Sequence, residues 1–291
     1  MGGVFTPKNN MIGVPARLYK YIPPERAVNV LGELLIRFSQ ASVMNDKEEF
    51  KPPISGLATE PVFQQAFRER ADALYPGLMD LVEEQGPEYK ATLYARGTSS
   101  ENLARTIKTV YEKNVMNFGI LSLSELATSV CMWDKYTEQG RGFLVEFDSS
   151  HPWFNQKTAQ DDDLRHLRRI SYVADRAPAY LLALTADDYL YTKEMKWEYE
   201  KEWRIMLNFK SAARNVGKDN TGTDVLLFAI PPDCLLSVTV GYNASAEFVE
   251  QVGSLLAANP SLSHVRLKAA RQWGGGSVEI EGLDETRMPS R

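Results

Sequence analysis

Apolar and polar positions follow one another along the chain in patterns that distinguish strands from helices. Apolar runs of strand length, or apolar side chains at every second position, predict strands because side chains alternate between the two faces of a strand. The pattern predicts strands over residues 17–21, 36–39, 118–123, 142–147, 170–173, 197–209, 225–230, 235–240 and 264–267. Apolar positions three and four residues apart predict helices over residues 23–35, 124–139, 178–190 and 245–258, and a mostly helical stretch over residues 60–114.

The predicted strands and helices mix without a regular β-α-β alternation, which favours an α+β class over a doubly wound fold. We expect a single α+β domain over residues 17–270, with a helical insertion at about residues 60–114. Residues 1–16 are expected to form a loose leader. Residues 271–291 are rich in glycine and polar residues and are expected to form a flexible tail.

The most distinctive pattern lies in residues 197–209, which read WEYEKEWRIMLNF. As one strand, this segment turns its tryptophans and most large apolar side chains to a core, and it collects three glutamates and Arg204 on the opposite face. The ordinary interpretation of that second face is a solvated outer surface. Like charges two residues apart repel each other, however, so the row of carboxylates needs a nearby cation or a functional reason.

Composition and charge narrow the class of protein. Hydrophobic residues make up 44% of the chain and charged residues 24%, which is typical of a globular protein, and the formal charge of −5 argues against a general nucleic-acid binder. Two cysteines give no disulfide framework, and three histidines lack metal-ligand spacing, so we expect no metal site of the zinc type. No signal-peptide core or membrane-spanning apolar run is present, so a cytoplasmic location without membrane contact is expected.

Two shorter segments contain candidate site residues. Trp133 and Tyr136 are three positions apart on a predicted helix and therefore share a face, and core packing is the ordinary explanation for such a pair. Asn45 and Asp46 form a pair that is typical of turns and helix caps. The chain has no phosphate-binding glycine loop, dinucleotide fingerprint or nucleophile elbow.

Several segments together resemble a bacterial family catalogued as domain of unknown function 2971. They are Leu18 to Tyr21, Phe38-Ser39 with Asn45-Asp46 and Glu49, Met132-Trp133 with Tyr136, Gly142-Phe143 with Phe147-Asp148, Lys196 to Arg204, and Val238 to Gly241. The resemblance spans about residues 17–270, and the Trp-x-Tyr-Glu-Lys-Glu-Trp-Arg block is its specific part. This chain departs from the family in having Lys47 in place of a usual proline, and Asp134-Lys135 in place of Ser-His.

The order of elements in that family is similar to that of ADP-ribosyltransferases, including the type that modifies DNA. The resemblance implies a mostly antiparallel split sheet with flanking helices, and NAD as the donor of ADP-ribose to an unknown protein or nucleic-acid acceptor. It implies catalytic roles for Glu202, beside the ribose, and for Glu200, which would orient or deprotonate the acceptor. The residues that it implies for NAD binding are Lys20, Tyr21, Asn45, Asp46, Trp133, Tyr136 and Arg204.

The chemistry of NAD accounts for these residue types. Breaking its glycosidic bond passes through a positively charged, oxocarbenium-like state that a nearby carboxylate stabilises. Trp133 or Tyr136 would stack on the nicotinamide ring, and Lys20 or Arg204 would meet the pyrophosphate. Arg204 has the alternative role of neutralising the acidic row.

Two other functions are compatible with the same residues. In a metal-dependent phosphodiesterase or nuclease, Mg²⁺ would be held by carboxylates that converge in the fold, namely Asp46, Glu49, Glu200 and Glu202. In a non-catalytic binding module, the aromatic and acidic surface would recognise a protein partner. Dependence on a divalent cation distinguishes the first from NAD chemistry, and partner binding that survives loss of both strand glutamates indicates the second.

Overall fold

A computed structural model describes residues 13–283, apart from residues 47 and 275. The strands within that part of the chain are β1 (Arg17–Ile22), β2 (Leu35–Arg37), β3 (Ile54–Gly56), β4 (Phe118–Ser124), β5 (Phe143–Asp148), β6 (Arg168–Arg169), β7 (Ser171–Val173), β8 (Ala179–Tyr180), β9 (Thr192–Glu194), β10 (Glu202–Asn208), β11 (Arg214–Lys218), β12 (Asp224–Ala229), β13 (Leu235–Val240), β14 (Arg266–Trp273) and β15 (Ser277–Gly282). The α-helices are α1 (Glu60–Leu74), α2 (Leu78–Glu84), α3 (Pro87–Gly97), α4 (Ser100–Asn114), α5 (Val130–Tyr136), α6 (Ala186–Leu190) and α7 (Ala246–Ala258).

Short helical turns connect many of these elements. The 3-10 turns are Pro24–Arg26, Ala41–Val43, Pro152–Phe154, Leu181–Ala183, Met195–Glu200, Phe209–Ser211, Pro232–Cys234 and Pro260–Leu262, and Val28–Gly32 is a single π-helical segment. In the described part of the chain, no helix is long and apolar enough to cross a membrane.

A large sheet forms the centre of the fold, with the strand order β15-β14-β13-β5-β1-β4-β10-β6. Neighbouring strands run antiparallel except β13 and β14, which run parallel. A smaller antiparallel sheet has the order β11-β12-β2, and β3-β8 and β7-β9 are parallel pairs. The predicted α+β class with a mostly antiparallel sheet is confirmed.

The alternation of side chains along β4 and β10 divides the interior into two parts. Trp203, Ile205 and Leu207 of β10 lie with Leu121 and Leu123 of β4 in the largest hydrophobic cluster. Each large apolar side chain buried there contributes roughly 1.5–3 kcal/mol of hydrophobic stabilisation. The intervening side chains of both strands point to the opposite side of the sheet, where the candidate site lies.

The sheet is continuous but loosely joined between β1 and β4. These strands share the single paired position Tyr19 with Ser124, whereas β1 pairs with β5 along the whole of Arg17–Ile22. The Nζ atom of Lys20 donates a hydrogen bond to the carbonyl oxygen of Ser122 at 2.9 Å and so bridges the two strands by a side chain. A space therefore opens between two neighbouring strands of the main sheet.

Several predicted elements have different boundaries in the structure. The helix expected over residues 178–190 is reduced to Ala186–Leu190, and the helix expected over residues 23–35 is the Pro24–Arg26 turn followed by the π-helical segment Val28–Gly32. The helix expected from Ser124 begins only at Val130, because Ser124 is the last residue of β4 and its hydroxyl donates to the carbonyl of Glu200 at 2.7 Å. The strand expected over residues 197–209 begins only at Glu202, after the Met195–Glu200 turn. Lys201 separates the two with a left-handed backbone, φ 42° and ψ 55°, that a continuous strand excludes.

The expectation of a flexible tail from residue 271 also needs correction. Residues 266–273 and 277–282 form the antiparallel hairpin of β14 and β15, which is the edge of the main sheet. Val278 and Ala270 are buried together in one hydrophobic cluster, and this burial anchors the hairpin. Residues 284–291, and residues 1–12 of the predicted leader, lie outside the described residues.

Candidate functional site

A cavity of about 470 Å³ lies where β1 and β4 diverge. This volume is in the usual range for sites that bind small molecules and cofactors. Most of its walls come from β1, the end of β4, residues 23–45 and the α5 region, and its charged lining residues are Lys20, Glu25, Arg26, Arg37, Glu49, Lys135, Glu138, Lys193, Glu200 and Glu202. The cavity is therefore lined by both acidic and basic side chains.

Five buried charged side chains form one cluster at the side of the cavity. We call Glu49, Lys193, Glu200, Glu202 and Arg204 the charge cluster, and each of them is less than 5% exposed. The Lys193 Nζ atom lies 2.6 Å from Glu200 Oε2, 2.9 Å from Glu202 Oε2 and 3.5 Å from Glu49 Oε1. Three carboxylates thus surround one ammonium group.

Arg204 is the second cation of the charge cluster and is fully buried. Its Nε and Nη2 atoms donate to the two carboxylate oxygens of Glu202 at 2.6 and 3.0 Å, and Nη2 also donates to Glu49 Oε1. Its Nη1 atom donates to the carbonyl of Leu190 at 2.9 Å. This two-pronged geometry fixes the orientation of the Glu202 carboxylate, as paired guanidinium hydrogen bonds generally do.

The charge cluster holds Glu202, Lys193 and Arg204 in their ionised forms. Burial alone raises the pKa of a carboxyl group, but the charges of Arg204 and Lys193 outweigh it and hold the pKa of Glu202 well below its usual range. Burial likewise disfavours the cations, yet the surrounding carboxylates raise the pKa of both Lys193 and Arg204. At neutral pH, Glu202 is therefore negatively charged, and Lys193 and Arg204 are positively charged.

The chain brings Glu200 and Glu202 together by a turn rather than by strand alternation. Glu200 ends the Met195–Glu200 turn, Glu202 begins β10, and Lys201 between them has a left-handed backbone. Both carboxylates consequently reach Lys193, which lies on the neighbouring β9. The prediction that the two glutamates share one face of a strand is wrong, although they do converge on one place.

Tyr136 connects the charge cluster to the polar loop that contains Asn45. Its hydroxyl donates to Glu200 Oε1 at 2.5 Å and accepts a hydrogen bond from Asn45 Nδ2 at 3.0 Å. Burial and the negative charge of Glu200 raise the pKa of Tyr136, so its hydroxyl keeps its proton. Both Asn45 and Tyr136 line the cavity, as the sequence resemblance implies for residues that bind a ligand.

Basic side chains line another part of the cavity. Lys20, Arg26 and Arg37 reach it from β1, the Pro24–Arg26 turn and β2. Arg37 is paired with Asp219 at 2.6 Å. The described contacts of Lys20 and Arg26 include no carboxylate within hydrogen-bonding distance, and Glu25 lies 3.8 Å from Arg26. Burial lowers the pKa of Lys20 to about 8, and Glu202 opposes that shift. Such a group changes its charge near physiological pH.

Trp133 is not positioned to stack on a ligand, which is the role that the resemblance implies for it. It is fully buried in a hydrophobic cluster, its Nε1 atom donates to the carbonyl of Ala127 at 2.9 Å, and its ring meets Tyr21 edge-on. It therefore has no free face for a nicotinamide ring. Tyr21 is also buried, and its hydroxyl donates to the carbonyl of Leu126 at 2.8 Å. Its side chain therefore forms part of the cavity wall in a fixed position.

Arg204 and Asp46 have structural contacts rather than the ligand contacts expected of them. Arg204 neutralises the acidic row, which was the alternative role, because every described contact of its guanidinium is to Glu202, Glu49, Leu190 or the Phe50 ring. Asp46 is buried, and its Oδ1 atom accepts a hydrogen bond from the backbone of Glu48. It thus shapes the turn that presents Glu49, which agrees with the default interpretation of the Asn-Asp pair.

Sequence reasoning did not single out Lys193. It is buried at the centre of the charge cluster, but it stands in no recognisable motif. The only signal for it was indirect, since three glutamates at alternate positions require a cation nearby. The solvated outer face that was the ordinary interpretation is wrong, because Glu200, Glu202 and Arg204 are all buried.

The carboxylates proposed for a Mg²⁺ site meet around an ammonium group instead. Glu49, Glu200 and Glu202 converge, but Lys193 lies among them, and Asp46 does not line the cavity. Among the described residues, no group of three histidine, cysteine or carboxylate side chains has the arrangement of a metal site.

Comparison with known proteins finds a family match for one segment of the chain. Residues 132–205 match the family described as "Protein of unknown function (DUF2971)". The matched segment runs from α5 into β10 and contains Lys193, Glu200, Glu202 and Arg204. The family resemblance is therefore confirmed over the segment that supplies four of the five residues of the charge cluster. Among curated proteins and solved structures, none matches the chain.

Proposed function

We propose that this DUF2971 protein breaks the nicotinamide glycosidic bond of NAD and transfers ADP-ribose to a macromolecular acceptor or to water. The observation that carries the proposal is the ionised, rigidly held carboxylate of Glu202 beside a cavity of about 470 Å³ that also has basic lining residues. A donor with a pyrophosphate and a cationic glycosidic leaving group needs both features.

The basic lining residues account for binding of the pyrophosphate. Lys20 and Arg26 supply positive charge near the divergence of β1 and β4, and Arg37 adds a guanidinium that Asp219 orients. Arginine and lysine are the side chains that most often bind phosphate groups, through charge-assisted hydrogen bonds. The cavity opens between two strands of a mostly antiparallel sheet, which supports the ADP-ribosyltransferase-like split sheet implied by the resemblance.

Glu202 stabilises the positive charge that develops on the ribose. Its two oxygens are held by Arg204 and Lys193, so the carboxylate needs no reorganisation when the glycosidic bond breaks. The charge cluster contains three carboxylates and two cations. It therefore keeps a formal negative charge, which stabilises the developing cation. A preorganised anion of this kind is the main catalytic device available to the described residues of the cavity.

Glu200 and Tyr136 are placed to manage the proton of the acceptor. In the reaction, the bond between ribose C1′ and the nicotinamide nitrogen breaks, and nicotinamide leaves with the bonding electron pair. An acceptor oxygen or nitrogen then bonds to C1′ and loses its proton to Glu200. The Tyr136 hydroxyl, 2.5 Å from Glu200 Oε1, orients that carboxylate through a charge-assisted hydrogen bond.

The direct test follows nicotinamide release and label transfer from NAD carrying a label on the adenosine portion. Purified protein is incubated with NAD in the presence and absence of cell lysate and of EDTA. We expect nicotinamide release that survives EDTA, with label on a macromolecule when lysate supplies the acceptor. No release and no NAD binding in the presence of lysate would refute the proposal, and Mg²⁺-dependent cleavage of nucleic acid would instead support the phosphodiesterase alternative.

Lys20 should make the affinity for the anionic part of the ligand depend on pH. Its pKa of about 8 means that the ammonium form dominates below pH 8 and is lost above it, with Glu202, Glu200, Arg26 and Arg37 as its charged neighbours. We expect the affinity for ADP-ribose, measured by calorimetry, to fall by about tenfold between pH 7 and pH 10, the worth of one charged hydrogen bond.

Two variants identify the group responsible for that pH dependence. Lys20→Arg keeps its charge over this range and should remove the decline, whereas Lys20→Met should bind weakly at every pH. Lys135→Met is the matched control, because Lys135 also lines the cavity and burial also lowers its pKa. An unchanged decline in Lys20→Met would contradict the assignment.

A further inference from the structure

Three aromatic side chains surround the ammonium group of Lys135. The Nζ atom lies 3.8 Å from the ring centroid of Trp197, 5.4 Å from that of Tyr136 and 5.8 Å from that of Tyr199. It donates a hydrogen bond to the Tyr199 hydroxyl at 3.1 Å and lies 4.0 Å from Glu200 Oε1. We call Tyr136, Trp197 and Tyr199 the aromatic cage.

Lys135 stands between the cavity and most of the aromatic cage. Lys135, Tyr136 and Glu200 line the cavity, whereas Trp197 and Tyr199 are not among its lining residues. The lysine ammonium lies over the ring of Trp197 and donates to the hydroxyl of Tyr199. Lys135 is therefore a side chain that lines the cavity and also contacts both of these aromatic residues.

The lysine is a partly exposed occupant of the aromatic cage. Its side chain is 31% exposed and is attached through a flexible four-carbon stem. Burial lowers the pKa of Lys135, and Glu200 opposes that shift, so the surroundings do not fully replace the water that the ammonium loses. A compact ammonium is strongly hydrated, and a larger, weakly hydrated cation loses less on entering the same place.

The aromatic cage also contains a donor without an acceptor. The Trp197 Nε1 atom is buried and has no hydrogen-bond partner among the described residues. Buried donors normally find an acceptor. Lysine carries no acceptor, so the present occupant of the aromatic cage leaves this donor unsatisfied.

We propose that the aromatic cage is a binding site for a flat organic cation of the N-alkylpyridinium type, and that Lys135 is a built-in occupant which such a ligand displaces. The inference stands on the cage contacts and goes beyond the proposed function. It rests on that function only where it identifies the cation with the pyridinium ring of NAD. The charged ring stacks on Trp197, and Glu200 supplies the counter charge.

Calorimetric titration with 1-methylnicotinamide tests the proposal without any turnover. Lys135→Ala should bind this pyridinium about tenfold more tightly than the unaltered chain, because the competing ammonium is gone. Arg141→Ala is the matched control, since it removes an exposed cation near α5 that is outside the aromatic cage, and it should bind like the unaltered chain. Equal affinity of Lys135→Ala and the unaltered chain would overturn the proposal.

Two further probes define the ligand chemistry. Uncharged nicotinamide and the non-planar cation tetramethylammonium should both bind Lys135→Ala more weakly than 1-methylnicotinamide does. Equal binding of nicotinamide would refute the role of charge, and equal or tighter binding of tetramethylammonium would refute the flat-ring assignment.

These results also distinguish the aromatic cage from the proposed NAD chemistry. Loss of nicotinamide release from NAD, with pyridinium binding retained and enhanced in Lys135→Ala, would refute NAD chemistry and support the cage. Nicotinamide release from NAD, with pyridinium binding indifferent to residue 135, would support NAD chemistry and refute the cage.

Discussion

Replacement of Lys193 by methionine is expected to lower the free energy of unfolding by about 3–5 kcal/mol, the usual cost of removing one partner from a buried ion pair. Lys193 is the ammonium that lies among Glu49, Glu200 and Glu202, all of which are buried. Without it, Glu49 and Glu202 are left with Arg204, Glu200 is left with the more distant Lys135 at 4.0 Å, and the three carboxylates repel one another. Urea denaturation followed by circular dichroism measures the effect as a shift of the midpoint.

A neighbouring lysine provides the control for this substitution. Lys196 lies three positions further on and is exposed, with Glu194 as its partner at 2.5 Å. Exposed pairs contribute little to stability, so Lys196→Met should leave the midpoint nearly unchanged. Adding Glu200→Gln to Lys193→Met should recover part of the loss, because it removes one of the repelling charges. Equal midpoints for both lysine variants would contradict the role given to Lys193.

Replacement of Glu202 by glutamine is expected to lower the rate of nicotinamide release by on the order of 10²–10³-fold, as loss of one preorganised electrostatic contact with a transition state does. Glutamine keeps the shape of the side chain but lacks the negative charge that stabilises the ribose cation. The measurement is the rate of nicotinamide release at saturating NAD, per folded molecule.

Two controls distinguish catalysis from folding in that experiment. Glu198→Gln changes an exposed glutamate that is paired with Lys201 at 2.8 Å, and it should leave the rate unchanged. ADP-ribose contains the pyrophosphate but no bond to break, so Glu202→Gln should still bind it if the cavity is intact. A Glu202→Gln variant that binds ADP-ribose and retains most of the rate would show that Glu202 is not the stabilising anion.

The sequence predicts those parts of the fold that depend on local alternation of apolar residues. The strands over residues 118–123, 142–147 and 235–240 are confirmed within one residue at either end, because each packs an apolar row against the core. The helix expected over residues 245–258 is also confirmed, and Ser245 caps it by accepting from the backbone of Phe248. These elements form the scaffold on one side of the cavity.

The site itself depends on features that alternation cannot reveal. The left-handed conformation of Lys201 interrupts a run of residues that reads as one strand, because the Glu200 carbonyl is held by Ser124 and the strand pairing of β10 starts only at Glu202. Lys193 enters the charge cluster from a different strand, β9. The resemblance implies a ligand role for both Trp133 and Tyr136, but the two side chains diverge at the helix end, one into the core and one into the cavity.

The specific sequence block of the family now has a physical explanation. In Trp-x-Tyr-Glu-Lys-Glu-Trp-Arg, the first tryptophan and the tyrosine form two sides of the aromatic cage, and both glutamates and the arginine belong to the charge cluster. Trp203 fills the core, and its Nε1 atom donates to Glu125 at 2.8 Å. The block therefore supplies residues to both the charge cluster and the aromatic cage, and Glu200 lies next to both.

The central claim is that NAD binds in the cavity with its nicotinamide ribose next to Glu202. The most direct measurement is a crystal structure of Glu202→Gln soaked with NAD, since this variant should leave the glycosidic bond intact. The account predicts the nicotinamide ribose within hydrogen-bonding distance of residue 202 and the pyrophosphate against Lys20 and Arg26. An empty cavity at a saturating NAD concentration, or NAD bound elsewhere on the molecule, would contradict it.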